Sequence, residues 1–493
     1  MKILSASQIR EIDHYTIAHE PIASIDLMER AADACSSWMM DHLDYNQPIL
    51  ILCGMGNNGG DGWAIARQLF LAGFDISTCF IRHHEHESPD AKINRERWLE
   101  LSPCYLEIQT LSDLPDLTAF DWVVDAMLGT GIHAPLKGLL AEVVQALNDA
   151  KVPVIAIDLP TGLFAEHNDA NHMDLVVKAT HTLTFQLPKL AFLLPNSGPL
   201  SGQWTVLDIQ LHPWALQQAD TPYYYIDEQL ILSLVKPREI FSHKGDCGHV
   251  VVVGGAKGKT GAAVLAAKSA LRAGAGLCTF LVSEILLPTV QILLPEAMAT
   301  TKGLPEKTNV LAIGPGMGTD HEAADQLEKL LQSGIPGIVL DADALNLLSQ
   351  KSTWHLPKGV ILTPHPGEFD RLAKTSDMSW REKFEHARAI AKTHQCVVVL
   401  KTANPGVCLP DGTIWFCNAG NTTLAKGGSG DVLTGLIAGL LAQGYTSEDA
   451  ARLGVWLHGK AGVMAGHKFG VRGALASDVA DCIGKVFPDE PQT

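Results

Sequence analysis

Short apolar runs recur through this chain, and many of them are followed at once by glycine or aspartate. In the first 212 residues they are Ile49 to Cys53, Ile76 to Ile81, Trp122 to Val124, Val154 to Ile157, Thr182 to Phe185 and Trp204 to Leu207, with helix-period segments between them. Runs this short and continuous read as strands buried on both faces, so the pattern predicts a parallel sheet covered by helices on each side. Ligands of such sheets bind beyond the carboxyl ends of the strands, which makes the residues after each run the ones to inspect.

After the first run comes Gly54-Met55-Gly56-Asn57-Asn58-Gly59-Gly60-Asp61-Gly62, read as a loop ahead of a helix from Trp63 to Ala72. It satisfies G-x-G-x-x-G, but the next strand ends in Arg82-His83-His84 where a dehydrogenase would carry an acidic residue. Asp125 follows the third run, Gly129-Thr130-Gly131-Ile132-His133-Ala134-Pro135 lies just beyond, and Asp158-Leu159-Pro160-Thr161 follows the fourth. Asn58, Asp125 and Thr161 thus present hard oxygens at adjacent strand ends, suited to a hard cation beside a phosphate-bearing ligand. Caps and turns are the alternative for each of them taken singly.

From His212 to Arg238 the period is lost among Pro213, Pro222, Tyr223-Tyr224-Tyr225 and Pro237, which reads as a connector. The expected division is 1–215, a linker over 216–240, and 241–493. A second α/β series opens with Val250 to Val253 and Gly254-Gly255-Ala256-Lys257-Gly258-Lys259-Thr260. The first glycine of a P-loop would fall at Val253, so the segment reads as a glycine-rich loop capping a helix from Ala262. Later strand ends carry Gly314-Pro315-Gly316-Met317-Gly318, Asp341-Ala342-Asp343, Thr363-Pro364-His365-Pro366-Gly367-Glu368 and Lys401-Thr402-Ala403-Asn404-Pro405. Asp341 and Asp343 are candidates to orient the waters of Mg²⁺, or else caps of the helix that follows.

Last comes Gly427-Gly428-Ser429-Gly430-Asp431, leading into the apolar stretch Val432 to Leu441. A helix start offers unpaired N–H groups and a partial positive charge to a phosphate, and glycines let the backbone approach it. Asp431 stands where it could take a proton from an attacking hydroxyl; as a lone motif it reads equally as an N-cap.

A chain of 493 residues has length for two or more domains, and its net charge of −17 argues against nucleic acid or an anionic membrane as partner. The first ten residues lack a signal-peptide pattern and no apolar run is long enough to span a bilayer, so the cytoplasm is expected. Ten cysteines without a C-x-x-C pair read as buried thiols rather than a zinc site or disulfide framework.

Taken in order, these motifs resemble a known family. From Gly248 onward the chain looks like the ribokinase-like fold in its NAD(P)HX dehydratase branch, and the first half, with Asn57 to Asp61, like the NAD(P)HX epimerase domain. The resemblance implies a Rossmann-like three-layer α/β sandwich followed by a ribokinase-like three-layer α/β domain. It implies repair of hydrated NADH and NADPH: epimerisation of the R and S hydrates, then ADP-dependent dehydration of the S form with release of AMP and phosphate. Asp431 would be the dehydratase base, while Asp61 and Asp158 are candidates for proton handling in the epimerase. The hydrate would touch Asn57, Asn58, Gly59, Gly60, Asp61, the run Gly129 to Pro135 and Asp158 in the first domain, and Ala262, Gly318, His365 and Asp431 in the second. ADP would lie against Lys401, Thr402, Ala403, Asn404, Pro405 and Gly430, with K⁺ held by Asn58, Asp125 and Thr161, and Mg²⁺ serving the dehydratase. Two departures stand out: Thr402 where relatives often have glycine, and Thr161 where serine is common. NADHX, NADPHX and ADP are the expected partners, in a homo-oligomer. The competing expectations are a vitamin or sugar kinase of the same fold and a non-catalytic, nucleotide-binding first module.

Overall fold

Alternate residues of the first strand face opposite layers. Ile49, Ile51 and Cys53 pack among the helices Ser24–His42, Asn57–Leu71 and Pro89–Leu101, whereas Leu50 and Leu52 pack with the helix Gly138–Ala150. That two-sided burial explains why the strand is apolar throughout. In this computed structural model, which describes residues 1–102, 105–351 and 353–488, the chain divides into two units, Met1–Thr221 and the part from Pro222 on.

The first unit holds β1 (Ile49–Cys53), β2 (Ile76–Ile81), β3 (Leu106–Ile108), β4 (Trp122–Ala126), β5 (Val154–Ile157), β6 (His181–Phe185) and β7 (Gln203–Leu207). They form one parallel sheet in the order β3-β2-β1-β4-β5-β6-β7. The chain runs outward from β1 to β3 and resumes at β4 on the other side of β1. The ends of β1 and β4 therefore border the crevice where the winding reverses, the place such sheets bind ligands.

The second unit holds β8 (Tyr223–Tyr225), β9 (His249–Val253), β10 (Leu277–Leu281), β11 (Met298–Thr300), β12 (Val310–Ile313), β13 (Gly337–Leu340), β14 (Ile361–Leu362), β15 (Val397–Leu400), β16 (Gly406–Cys408) and β17 (Ile414–Phe416). The order is β11-β10-β9-β12-β13-β14-β15-β16-β17-β8, with β16 antiparallel to both of its neighbours. Winding reverses between β9 and β12. Val250 and Val252 pack with the helices Thr260–Arg272, Ser429–Ala442 and Ser447–Phe469 on one face, and Trp380–His394 packs on β15 and β16.

Three expectations need correction. The segment 216–240 is not an aperiodic connector: Tyr223–Tyr225 pairs in parallel with Ile414–Phe416 as an edge strand, and Glu228–Leu234 is a short helix. Tyrosine has high strand propensity, but a run this short offers no period to read. The glycine-rich run after β1 is loop only to Gly56, because the helix already begins at Asn57. Asp125 lies within β4, paired with Leu52 and Ala156, and does not follow it. Nine of the ten cysteines are buried free thiols, and Cys104 lies outside the described residues. Among the described residues no helix is long and apolar enough to cross a membrane.

Candidate functional sites

In the second unit, the carboxyl ends of β13, β14 and β15 face the start of the helix Ser429–Ala442. Gly428 caps that helix at φ 91°, where an added Cβ would meet Leu265 at 2.7 Å, so glycine is required there. The next glycine, Gly430, lies against the amine of Lys401: a Cβ on it would be 3.1 Å from Nζ. Lys401 Nζ donates to Asp341 Oδ1 at 2.6 Å, and Thr434 Oγ1 donates to Asp341 Oδ2 at 2.7 Å. Burial would push the Asp341 carboxyl up, but the Lys401 charge and these bonds hold it below the usual range although it is only 1% exposed.

Asp431, in the first turn of the helix, goes the other way. Burial and then the charges of Asp341, Glu368 and Asp343 push it up to about 7, against the pull of Lys401. A base with that pKa is half ionised near neutral pH, as proton transfer from a hydroxyl requires. His365 caps the helix Pro366–Ala373: its N–H donates to Glu368 Oε2 at 2.8 Å, and its Nδ1 accepts from Gly367 N–H at 3.1 Å. Burial and the nearby Lys401 and Arg371 lower its pKa, so the ring is a neutral Nε2–H tautomer.

A cavity of about 620 Å³ opens at this point. His365, Lys401, Thr402, Ala403, Asn404, Pro405 and Gly430 all line it, as do Cys417 to Thr422, Leu424 to Lys426, Ser429, Leu433, Val455, His458 and Gly459. It joins a cationic end at Lys401 to an apolar end, which suits a nucleotide. Ala262 and Gly318 lie outside it, on the side of the β9 and β12 loops. There Asp343 Oδ2 accepts from Gly318 N–H at 2.9 Å and from Lys259 Nζ at 3.1 Å. Asp341 and Asp343 are therefore each engaged by a lysine. The local charge still favours a divalent cation, because the four carboxylates Asp341, Asp343, Glu368 and Asp431 outnumber the cations near them, Lys259, Lys401 and Arg371.

In the first unit, Thr161 N–H and Oγ1 donate to the two oxygens of buried Asp125 at 2.8 and 2.7 Å, and Thr161 Oγ1 lies 3.2 Å from Leu128 O. Burial pushes Asp125 up to about 6 despite those bonds. Gly129 joins this cluster to the helix start: a Cβ there would stand 3.3 Å from Asn58 Oδ1 and 3.4 Å from Asp158 Oδ2. Asn58 Nδ2 is buried without a partner. A carboxylate, a hydroxyl, a main-chain carbonyl and the Asn58 side-chain oxygen make a donor set that fits a hard monovalent cation, and the orphaned Asn58 Nδ2–H beside them suits an acceptor on a polar ligand. The rest of the run to Pro135 forms the rim, with Gly131, His133 and Ala134 exposed.

Asp158 adopts φ 61°, unusual for a non-glycine residue, and Lys189 Nζ sits 3.1 Å from its Oδ1. Lys189 is 2% exposed and also donates to Thr184 Oγ1 at 2.9 Å and to the carbonyls of Leu187 and Phe185. Burial, then Asp158 and Asp13, push the Asp61 carboxyl well above the usual range. Asp13, from the helix Ala6–His19, is itself pushed up to about 6 by burial and Asp158.

Residues 250–485 match the family described as NAD(P)H-hydrate dehydratase, and residues 24–191 match YjeF-related protein N-terminus. The chain is 36% identical to the bifunctional NAD(P)H-hydrate repair enzyme Nnr of Moorella thermoacetica, across 99% of this chain and 97% of that protein. The chain belongs to the family of bifunctional NAD(P)H-hydrate repair enzymes. The Coxiella burnetii member is 33% identical over 96% of each chain. Among solved structures, the ADP/ATP-dependent NAD(P)H-hydrate dehydratase from Bacillus subtilis, co-crystallised with ATP/Mg²⁺, aligns with a TM-score of 0.50 at 31% identity, covering 53% of this chain and 97% of that one.

For a member of the NAD(P)H-hydrate repair family, sequence reasoning missed three groups of residues. Lys189 pairs with Asp158 across a loop 31 residues away, with nothing local to mark it. Asp13 sits on the first helix, in an ordinary amphipathic pattern. The roof of the large cavity, from Cys417 to Lys426 with His458, comes from a hairpin exit and a helix interior; the run Asn421-Thr422-Thr423 just ahead of the glycine motif was the available signal.

Proposed function

We propose that the chain carries both activities of its family, one in each unit. The observation that supports this most directly is Asp431: a carboxyl pushed up to about 7, at a glycine-walled helix start beside Lys401 and a nucleotide-sized cavity. In the second unit ADP occupies the cavity, with its phosphates toward Lys401 and the N–H groups of Gly428 to Gly430. Asp431 takes the proton of the hydrate's ring hydroxyl as that oxygen attacks the β-phosphorus and AMP leaves. The ring then loses a proton from the adjacent carbon, the C–O bond to phosphate breaks, and the reduced nicotinamide is restored with release of inorganic phosphate. Glu368 and Asp431 would face Mg²⁺, which would supply charge neutralisation for the transferring group. Lys401 to Pro405 and Gly430 contact the nucleotide; Ala262, Gly318 and His365 contact the hydrate.

In the first unit, Asn57 to Asp61, Gly129 to Pro135 and Asp158 hold the hydrate, and Asp61 and Asp158 exchange protons with it so that R and S forms interconvert. K⁺ at Asn58, Asp125 and Thr161 supplies fixed positive charge on that rim. Cytoplasmic placement, supported by the free thiols, and homo-oligomeric assembly complete the proposal.

The test is the absorbance of reduced nicotinamide regenerated from a mixed-epimer hydrate with ADP and Mg²⁺. Asp431→Ala should abolish it while leaving epimerisation intact, and omission of K⁺ should slow epimerisation alone. No regeneration with either ADP or ATP overturns the reading.

A further inference from the structure

The two oxygens of the Asp158 carboxylate meet different surroundings. Oδ1 is 3.1 Å from Lys189 Nζ and 3.5 Å from both Thr184 Oγ1 and Phe185 N. Among the described residues Oδ2 receives no hydrogen bond, and it lies on the rim of the first unit's site, 3.4 Å from where a Cβ on Gly129 would stand. The Asp158 side chain keeps 13% of its surface accessible, whereas that of Lys189 keeps 2%. One oxygen is held by the protein, and the other is left toward the rim.

The main chain is strained at the same place. Leu159 N–H donates to Ile157 O at 2.7 Å across Asp158, whose φ is 61°, and Leu187 N–H donates to Phe185 O at 2.7 Å across Gln186, whose φ is 60°. Three-residue turns of this hand are rare and strained, and they persist only where the surroundings over-determine them. Lys189 joins the two turns. Besides Asp158 Oδ1, its ammonium reaches Thr184 Oγ1 at 2.9 Å and the two carbonyls that flank Gln186, Leu187 O at 3.1 Å and Phe185 O at 3.2 Å. An ammonium has three N–H donors and here meets four acceptors, so none is left for a ligand. Any effect of Lys189 on the chemistry must therefore pass through Asp158.

Resting on the reading of Asp158 as a proton carrier of the first unit, we propose that Lys189 is a positioning residue for epimerisation. By binding Oδ1 and bracing the turns at Asp158 and Gln186, it presents Oδ2 alone to the hydrate. A proton that leaves the hydrate for Oδ2 is returned from Oδ2, and Lys189 keeps its own three throughout.

Starting from pure R hydrate without nucleotide, chromatographic separation of the epimers measures their interconversion by the full chain above the rate without enzyme. Lys189→Met should lower kcat about a hundredfold, the cost of misplacing a reacting group by about 1 Å, with KM changed less than about threefold. Asp158→Asn should be at least as slow. The double variant Asp158→Asn/Lys189→Met should be no slower than Asp158→Asn, because the lysine has no other route to the hydrate. Urea denaturation, following the transition that ADP does not shift, gives the folded fraction of the first unit in each variant. If Lys189→Met unfolds, the double variant, which buries no unpaired charge, carries the comparison with Asp158→Asn. A kcat in folded Lys189→Met within about threefold of wild type, the result for a merely structural lysine, overturns the proposal. So does a double variant more than about tenfold slower than Asp158→Asn. Wild-type kcat in Asp158→Asn overturns the reading of Asp158 itself, and no interconversion by wild type overturns the epimerase reading.

Discussion

Asp431 sets activity and stability against each other. Its carboxyl is pushed up from 3.8 to about 7, by burial first and by Asp341 second, with Lys401 opposing. In its proposed role as base it must be ionised, so kcat/KM for dehydration should follow its ionised fraction, about 9% at pH 6 and about 1% at pH 5. An ordinary carboxylate would still be about 90% ionised at pH 5. For stability the sign is reversed. Between 3.8 and about 7 the folded chain keeps a proton that the unfolded chain has released, so stability is fully present below 3.8 and is lost as pH rises through 7. That gap corresponds to at most about 4 kcal/mol, and water and side-chain relaxation leave about 2 kcal/mol as the expected effect. Asp431→Asn cannot ionise. It should be inactive in dehydration yet about 2 kcal/mol more stable than wild type at pH 8, with no advantage at pH 4. Urea denaturation at the two pH values, following the transition that ADP shifts, reads the stability of the second unit. A flat kcat/KM between pH 5 and 7, or a variant no more stable at pH 8 than at pH 4 relative to wild type, refutes the reasoning.

Lys401→Met should strip Asp341 of its charge partner and leave a carboxylate buried against Thr434 alone; the expected loss is about 3–5 kcal/mol near pH 7 by denaturation, together with loss of ADP binding by calorimetry. Gly129→Ala should press a methyl between Asn58 and Asp158, cutting epimerisation more than about tenfold at a stability cost near 1 kcal/mol, with dehydration of pure S hydrate unchanged.

How much of this was legible depended on whether the signal was local. Four-residue apolar runs such as Val154–Ile157 and Val397–Leu400 are read correctly to the residue because a strand buried on both faces has no other composition. Leu106–Ile108, Tyr223–Tyr225 and Ile414–Phe416 were missed because three residues carry no period, and pairing with a distant strand decides their state. The helix beginning at Asn57 was misplaced because glycines disfavour a helix interior. Here they are tolerated because Gly59 must pass within reach of the Gly54 carbonyl, where a Cβ would stand at 2.0 Å. At the sites, residues at strand ends were legible because the sheet brings those ends together whatever the loops do. Lys189 and His458 were not, since their places are set by a loop path and by helix packing, neither of which has a sequence period.

Those two classes of residue meet in the way each unit assigns roles to its acids. A carboxyl in the first turns of a helix should be held low by the partial positive charge there. Asp61 and Asp431 both occupy such positions, and both are pushed up, so desolvation outweighs the helix field in each. What differs is where the lysine sits. Lys401 binds Asp341 at 2.6 Å rather than Asp431, and Lys189 binds Asp158 at 3.1 Å while, among the described residues, no lysine is within ion-pair distance of Asp61. In both units the neighbouring acid that the lysine binds is one of the causes that raise the unpaired carboxyl. The lysine in each unit therefore leaves the acid it does not bind as the raised one, so moving the positive charge, rather than deleting a carboxylate, is the change that should exchange which acid is raised.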